Sequence, residues 1–161
     1  MAPDLYPGVD PGIQETIRRI CGWHVAPQVT ESVTLDGSGV DLQLLPTLNL
    51  VDLIDITSDG TLVTDPEWSR MGAVRLRGGC WTSKYRGVVA TMLHGYENCP
   101  SDIRTAAARL GVLDRVFRAG GGSVRVGQVQ VSAPSGFIEW DGLDPGTRSF
   151  LAPYRLTGGR T

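Results

Sequence analysis

The stretch that decides the fold runs from Arg86 to Leu110 and reads RGVVATMLHGYENCPSDIRTAAARL. Its first part is apolar and β-branched up to His94-Gly95-Tyr96, which indicates a strand that ends there. Pro100-Ser101-Asp102 then has the residue types of a helix start. The stretch therefore predicts a junction between a β-rich block before it and a helical segment after it.

The block before the junction, residues 29–96, reads as short strands. Apolar and polar residues alternate on both sides of Asp36-Gly37-Ser38-Gly39, which predicts a β-hairpin with a glycine-rich loop. Ser58-Asp59-Gly60 predicts a further turn, and Trp68–Gly72 another. Together these signals predict a small antiparallel sheet or sandwich. The predicted strands are 29–35, 40–44, 48–57, 73–77 and 86–93.

Two helices flank this block. Asp10-Pro11 has the pattern of an N-cap followed by proline at the first helical position, so a helix is predicted over 11–24. Its apolar face is predicted to comprise Ile13, Ile17, Ile20 and His24, and residues 1–9 are expected to be a flexible arm. The main helix is predicted over 100–119, with Gly111 marking a break or a packing contact. Its expected apolar face is Ile103, Ala106, Ala107, Leu110, Leu113 and Phe117.

The last third of the chain is predicted to be extended and then helical. Residues 123–132 are expected to form one strand with a bulge at Gly127, a type of segment that can pair with another chain. Asp144-Pro145-Gly146 opens a short helix in a segment, 144–161, whose tail from Leu156 onward is expected to be loose. The chain is therefore predicted to be α+β, one domain over 1–161 with an inserted antiparallel β-sheet or sandwich.

Charge is unevenly distributed along the sequence. Residues 1–100 carry 7 basic and 12 acidic groups, whereas residues 101–161 carry 8 basic and 5 acidic groups. This polarity fits head-to-tail association between copies, and it equally fits scatter over a solvated surface. There is no basic run to favour sequence-specific nucleic-acid binding. No apolar run is long enough for a membrane span, and no secretory signal is evident, so a cytoplasm-like compartment is expected.

Candidate catalytic and metal-binding patterns are weak. Cys21-x-x-His24 and His94-x4-Cys99 have spacings that zinc ligands use, but nothing in the sequence brings the two pairs together. A Cys/His nucleophile, paired carboxylates at Asp52 and Asp55, and a phosphate loop at 120–123 each lack supporting context. We therefore predict no enzyme activity, no cofactor and no metal. The three cysteines are expected to be buried thiols, and the tryptophans core residues more than interface anchors.

A series of short motifs follows the chain in a fixed order. They are CGWHVAP at 21–27, the Leu-Asp-Gly hairpin at 35–37, LLPTL at 44–48, VDLIDIT at 51–57, WSRMG at 68–72, Trp81, His94-Gly95-Tyr96, Pro100-Ser101-Asp102 and FLAPYR at 150–155. Their order resembles that of head-to-tail adaptor, or connector, proteins of tailed phages that infect actinobacteria. The resemblance covers roughly residues 11 to 156.

This resemblance implies a small helical bundle with a β-rich insertion. It also implies a homo-oligomeric ring, commonly dodecameric, in the virion beneath the portal protein. Such a ring would join the capsid to the tail, contact the next connector or stopper protein, and pass packaged DNA without sequence-specific binding. Assembly would take place in the host cytoplasm. The residues implied for portal docking are Phe150, Leu151, Tyr154, Arg155 and Leu156. The residues expected at the subunit interface are Arg104, Arg109, Arg115, Arg118, Val124, Val126, Val129 and Val131.

The alternative is a small β-rich phage tail or host-contact binding module. The adaptor hypothesis adds one expectation about the C-terminus: a chain ending at Gly146 should fold but lose portal docking.

Overall fold

The computed structural model describes residues 3–118, 123–126, 129–132 and 140–156, and its fold is α+β, as predicted. Two units are distinguished. The helical unit comprises Met1–Trp23 and Asn98–Thr161, and the β unit comprises the residues between them, His24–Glu97. Among the described residues, no helix is long and apolar enough to cross a membrane.

The first helix of the helical unit, α1, spans Pro11–Cys21. The Asp10 carboxylate accepts hydrogen bonds from the amides of Gly12 and Ile13, which satisfies two of the free amides at the helix start. Gly22, in the left-handed region at φ 81°, ends the helix. The predicted end at His24 is therefore too late, and His24 does not belong to the apolar face. The buried residues are Gln14, Ile17, Ile20 and Cys21.

Residues 3–9 of the N-terminal arm are held against α1, contrary to the expectation of a flexible segment. Gln14 accepts a hydrogen bond from the Leu5 amide and donates one to the Asp4 carboxylate. Leu5 and Val9 are both buried. The buried Gln14 side chain satisfies a backbone amide and thereby fixes the path of the arm. The pattern of apolar residues in the sequence does not predict this hydrogen bond.

The second helix, α2, spans Ser101–Arg118 and is continuous through Gly111. Ile103, Ala106, Ala107 and Leu110 are buried along one face, as predicted. A Cβ atom added at Gly111 would lie 3.2 Å from Cδ1 of Ile13 in α1. Gly111 therefore marks a packing contact and not a break. The side chains of Phe117 and Arg118 lie outside the described part of the chain.

The segment after α2 folds as a hairpin. Strands β8 (Ser123–Val126) and β9 (Val129–Ser132) pair antiparallel, with Val124 opposite Val131 and Val126 opposite Val129. The prediction of a single bulged strand over 123–132 is therefore wrong, because the residues on the two sides of the expected bulge pair with each other as separate antiparallel strands. The last helix, α3, spans Pro145–Leu151, and short 3-10 turns lie at Trp140–Gly142 and Ala152–Tyr154.

The β unit contains seven strands in two antiparallel sheets. The strands are β1 Val29–Leu35, β2 Leu42–Leu44, β3 Leu50–Ser58, β4 Thr61–Leu62, β5 Glu67–Trp68, β6 Ala73–Arg75 and β7 Val88–His94. One sheet has the order β1-β7-β3-β4 and the other β2-β6-β5. A shared core joins the two sheets and comprises Leu45, Leu50, Ile56, Val74, Trp81, Val88, Ala90 and Met92.

The predicted hairpin between residues 29–35 and 40–44 does not form. Strand β1 pairs with β7, and β2 pairs with β6, so the loop at Asp36–Gly39 crosses from one sheet to the other. This loop is fixed by a distant segment: the amides of Gly37 and Gly39 donate to the carbonyls of Lys84 and Thr82. Alternation identified both strands correctly, but it does not encode which strands become neighbours.

Strand β3 carries two irregularities that alter its surface. Its register against β7 shifts between Leu50 and Asp52 and again between Leu53 and Asp55. Val51 and Ile54, the residues at these bulges, are 39% and 52% exposed. A bulge places an extra residue in one strand and displaces its side chain from the regular alternation. The bulges thus put apolar side chains on the surface beside acidic ones.

Candidate assembly surfaces

The C-terminal segment is anchored within the helical unit. The Trp23 indole donates a 2.7 Å hydrogen bond to the Tyr154 carbonyl, and the Leu156 amide donates a 2.8 Å bond to the Cys21 carbonyl. Leu156 also packs beside Gly22. Leu156 is therefore held at the end of α1 and is not part of a loose tail. Residues 157–161 lie outside the described part of the chain.

The five residues predicted for portal docking differ in accessibility. Leu151 is fully buried, whereas the other four are partly exposed. The Arg155 guanidinium lies 4.5 Å from the centre of the Trp140 ring, a cation–π contact. Leu151 thus belongs to the core of the helical unit. The residues accessible to a partner are Phe150, Tyr154, Arg155 and Leu156.

Arg109 connects α2 to α3. Its guanidinium lies 3.6 Å from the Asp144 carboxylate and 5.0 Å from the centre of the Phe150 ring. Asp144 is in turn the N-cap of α3, and its carboxylate accepts hydrogen bonds from the amide and hydroxyl of Thr147. Arg109, predicted at the subunit interface, therefore has a structural role within its own chain.

The Asp144 carboxyl is held in its charged form. Partial burial acts to raise its pKa, but the hydrogen bonds from Thr147 and Gly146 and the charge of Arg109 outweigh it, so the pKa is lowered from 3.8. Because the folded pKa is below the unfolded one, the stabilisation is complete above the unfolded pKa. It is lost as pH falls through the folded value.

Asp144→Ala is expected to lower the free energy of unfolding by about 1 kcal/mol at pH 7, as N-cap losses typically do. The difference from wild type should shrink at acid pH, where the wild-type carboxyl is protonated as well. Urea unfolding at pH 7 and pH 3 measures both effects. Asp141→Ala is the matched control, since Asp141 is exposed and caps no helix. Equal losses in the two variants would contradict the capping role.

The remaining predicted interface residues lie on α2 and on the β8–β9 hairpin. Arg104 and Arg115 are exposed, as are Ala108 and Val112 between them. Arg118 belongs to α2, but its side chain is not described. Val124, Val126, Val129 and Val131 occupy paired register positions in the hairpin, where likewise only the backbone is described. Arg104 and Arg115 therefore form, with Ala108 and Val112, an exposed face of α2.

The cysteines and histidines do not form the ligand groups considered from the sequence. Among the described residues, no group of three or more His, Cys, Asp or Glu side chains is arranged to hold a metal ion. Burial raises the pKa of the Cys21 thiol to about 12 and that of Cys99 to about 11. Such thiols are protonated at neutral pH, the opposite of an activated nucleophile. Cys80 is exposed, so the expectation of three buried thiols is wrong at this position.

A buried polar cluster in the β unit was not predicted from the sequence. His94 is 1% exposed, and its Nε2 lies 3.0 Å from the Glu31 carboxylate of β1. The His24 ring lies 5.8 Å away, centre to centre. Burial lowers the pKa of His94, against the opposing charge and hydrogen bond of Glu31.

Asn49 extends the polar interior of this unit. It is buried, donates a 2.6 Å hydrogen bond to the Gly95 carbonyl and accepts one from Nε of Arg70. The sequence feature that could have indicated this buried amide is an asparagine between two leucines at the start of a predicted strand. A buried amide in that setting needs partners, but its sequence position does not say where they are.

His94 should make the free energy of unfolding decrease as the pH falls below 6.5. Because its folded pKa is lower than the unfolded value of 6.5, the unfolded chain binds the proton more readily as pH falls below 6.5, and stability decreases. In His94→Gln, urea unfolding across this range should show less pH dependence than in wild type. In Glu31→Gln the dependence should be steeper, because the carboxylate no longer favours protonated His94. An unchanged profile in His94→Gln would contradict this assignment.

Comparison with known proteins gives similarity of fold. No protein-family profile matches the sequence, and no curated protein matches it. A chain in the neck of a native GTA particle, computed with C12 symmetry, has a TM-score of 0.52 and 13% sequence identity. That match covers 95% of this chain and 88% of the other. A chain from the neck of an empty GTA particle, computed with C6 symmetry, has a TM-score of 0.49 at 13% identity, covering 97% and 85% of the two chains. At such identity the first match establishes a shared fold.

Proposed function

We propose that this protein is a structural component of the neck of a tailed phage or phage-like particle, where it joins the head to the tail. The observation that carries the proposal is the end-to-end fold similarity to a neck chain, which includes both the helical unit and the β unit. The independent order of sequence motifs, which resembles connector proteins of actinobacteriophages, supports the same role. The proposed location is the virion, at the head–tail interface, after assembly in the host cytoplasm.

Within this role we propose a homo-oligomeric ring beneath the portal. The neck containing the similar chain was computed with C12 symmetry, which agrees with a dodecamer. The ring would extend the DNA channel without base-specific contacts and would present its far side to the next connector or stopper protein. We propose no catalytic step and no cofactor; the mechanism is assembly.

The C-terminal segment is the proposed portal contact. Its backbone is fixed by the bonds to Trp23 and Cys21, while Phe150 and Arg155 remain partly exposed. A segment held in one conformation loses little entropy on binding. The portal would then bind a surface that is already formed, and at Leu156 this differs from the sequence-based expectation of a loose tail.

Deletion of the gene from the phage genome tests the function. We expect heads that are filled with DNA but lack tails in electron micrographs, with wild-type protein restoring tailed particles. Tailed particles that fail to adsorb to the host would instead support the host-contact module and overturn the neck assignment.

Docking is tested with purified portal assemblies. Wild-type protein should bind them and form rings visible by electron microscopy, and Arg155→Ala should bind them more weakly. Ser149→Ala is the matched control, because Ser149 is exposed on α3 of the same segment. Equal binding by all three proteins would contradict the C-terminal assignment.

A further inference from the structure

We propose that the exposed face of α2 in one copy docks against the acidic outer side of β3 in the next copy. This inference rests on the proposed ring and names the two surfaces that would build it. It starts from charge: the β unit carries five basic and nine acidic side chains, whereas the helical unit carries ten basic and eight acidic ones. The imbalance predicted along the sequence therefore follows the division into units.

The α2 surface has a small apolar centre beside arginines. Arg104 and Arg115 are eleven residues apart, which is close to three helical turns, so they lie on the same side of α2 about 16 Å apart. Ala108 and Val112 lie next to them one turn apart, and Val112 is 52% exposed. Among the described residues, neither Arg104 nor Arg115 has an acidic partner within ion-pair distance.

The β3 surface has the complementary pattern. Asp52 and Asp55 are exposed and lie opposite Leu93 and Thr91 of β7, on the face turned away from the core. Between them lies the bulge residue Ile54, which is 52% exposed. The β3 surface thus has two carboxylates beside an exposed apolar side chain, and the α2 surface has two guanidiniums beside Ala108 and Val112.

Ion pairs within the β unit occupy several of its other acidic side chains. Asp41 pairs with Arg75, Asp59 with Lys84, and both Asp65 and Glu67 with Arg77. Within the part of the chain that the structure describes, Asp52 and Asp55 have no basic partner at such a distance. In the same described part, Asp36 and Glu97 likewise have no such partner. Asp52 and Asp55 differ from them because they share one strand face beside the exposed Ile54, where they can pair with the two guanidiniums of α2 in another copy. Such rim charges select orientation and partner.

A second copy fits these surfaces through its symmetry. Because the two patches differ, contact between them is heterologous, and repeating it gives a closed ring when the rotation between copies closes. An isologous contact of α2 with α2 would place arginines against arginines and is disfavoured.

Charge reversal in trans tests the contact. Arg104→Glu/Arg115→Glu and Asp52→Arg/Asp55→Arg should each weaken self-association on the order of tenfold, measured by sedimentation velocity at low salt. An equal mixture of the two variants should regain it, because each reversed surface then finds its complement and each unchanged surface finds the other. Circular dichroism checks that both variants fold. Self-association that is equal in the variants and the wild type, or a mixture without recovery, would overturn the proposal.

Disulfide trapping detects the contact even when association is weak. In a Cys80→Ser background, the Ala108→Cys protein carrying a size tag is mixed with untagged Ile54→Cys protein and oxidised. The yield of the cross-linked heterodimer should exceed the yield of either homodimer. A homodimer yield equal to the heterodimer yield would overturn the proposal. These outcomes are separable from the deletion experiment. If the deletion phage produces heads without tails but no cross-link forms, the neck function is supported and the proposed contact is wrong. If the cross-link forms but the deletion phage still produces tailed particles, the contact is supported and the neck function is wrong.

Discussion

Leu151→Ala is expected to lower the free energy of unfolding of the helical unit by about 2–5 kcal/mol, the range for truncating a fully buried leucine. Leu151 has no exposed surface, and it belongs to the short helix whose cap, Asp144, is bound by Arg109 of α2. Truncating this side chain to alanine leaves a cavity in the core, and the surrounding residues relax only partly to fill it. Urea or thermal unfolding of the purified protein gives the value.

Leu44→Ala is the control for this substitution, because Leu44 is 62% exposed and the same atoms are removed. Its effect should stay within about 0.5 kcal/mol. A Leu151→Ala protein as stable as the Leu44→Ala protein would show that the C-terminal segment is not part of the folded helical unit. The same argument revises the expectation for a chain ending at Gly146, which would lose Leu151, buried Thr147 and the bond to Trp23 together. We now expect that truncation to destabilise the helical unit as well as to abolish docking.

Gly37→Ala is expected to destabilise the β unit by about 3 kcal/mol or to prevent it from folding. A Cβ atom at this position would lie 1.9 Å from the carbonyl oxygen of Thr82, far inside van der Waals contact, and that oxygen belongs to backbone. The loop would have to move away and break the bonds to Lys84 and Thr82 that carry the chain from one sheet to the other. Denaturant unfolding monitored by tryptophan fluorescence measures the loss, since Trp81 lies in the core of this unit.

Gly78→Ala is the matched control, because a Cβ atom there meets nothing within 4 Å and the backbone is not left-handed. It should alter stability by no more than about 0.5 kcal/mol. Comparable destabilisation in the two variants would contradict the close approach at Gly37.

Where helices, strands and turns occur could largely be predicted, because these local structures depend on residues that are close together in the sequence. Asp10-Pro11 and Asp144-Pro145 start helices by capping, and Asp59-Gly60 turns the chain between β3 and β4. The buried alternation of Val88, Ala90 and Met92 likewise specified β7. In each case the physical cause lies within a few residues.

The features that escaped prediction depend on residues far apart in the sequence. The pairing of β1 with β7 and the close approach of Thr82 to Gly37 each join the first part of the β unit to its last part. The candidate assembly surfaces are similar in this respect. Trp23 binds the carbonyl of Tyr154 across 131 positions, and the exposed row on β3 arises from bulges that a simple alternation does not reveal. Periodicity reports which face of an element is buried and carries no information about what covers it.

The pairing at the base of the β unit has a consequence for how such a protein can diversify. Val29 lies opposite His94, and the Tyr96 amide donates to the Val25 carbonyl, so the chain enters and leaves the unit on adjacent paths. Paired strands of this kind hold their Cα atoms about 5 Å apart. The β unit therefore begins and ends at two neighbouring points, a geometry that an insertion of a different length could share. A change in the size of the β unit would therefore leave the distance between its two ends unchanged.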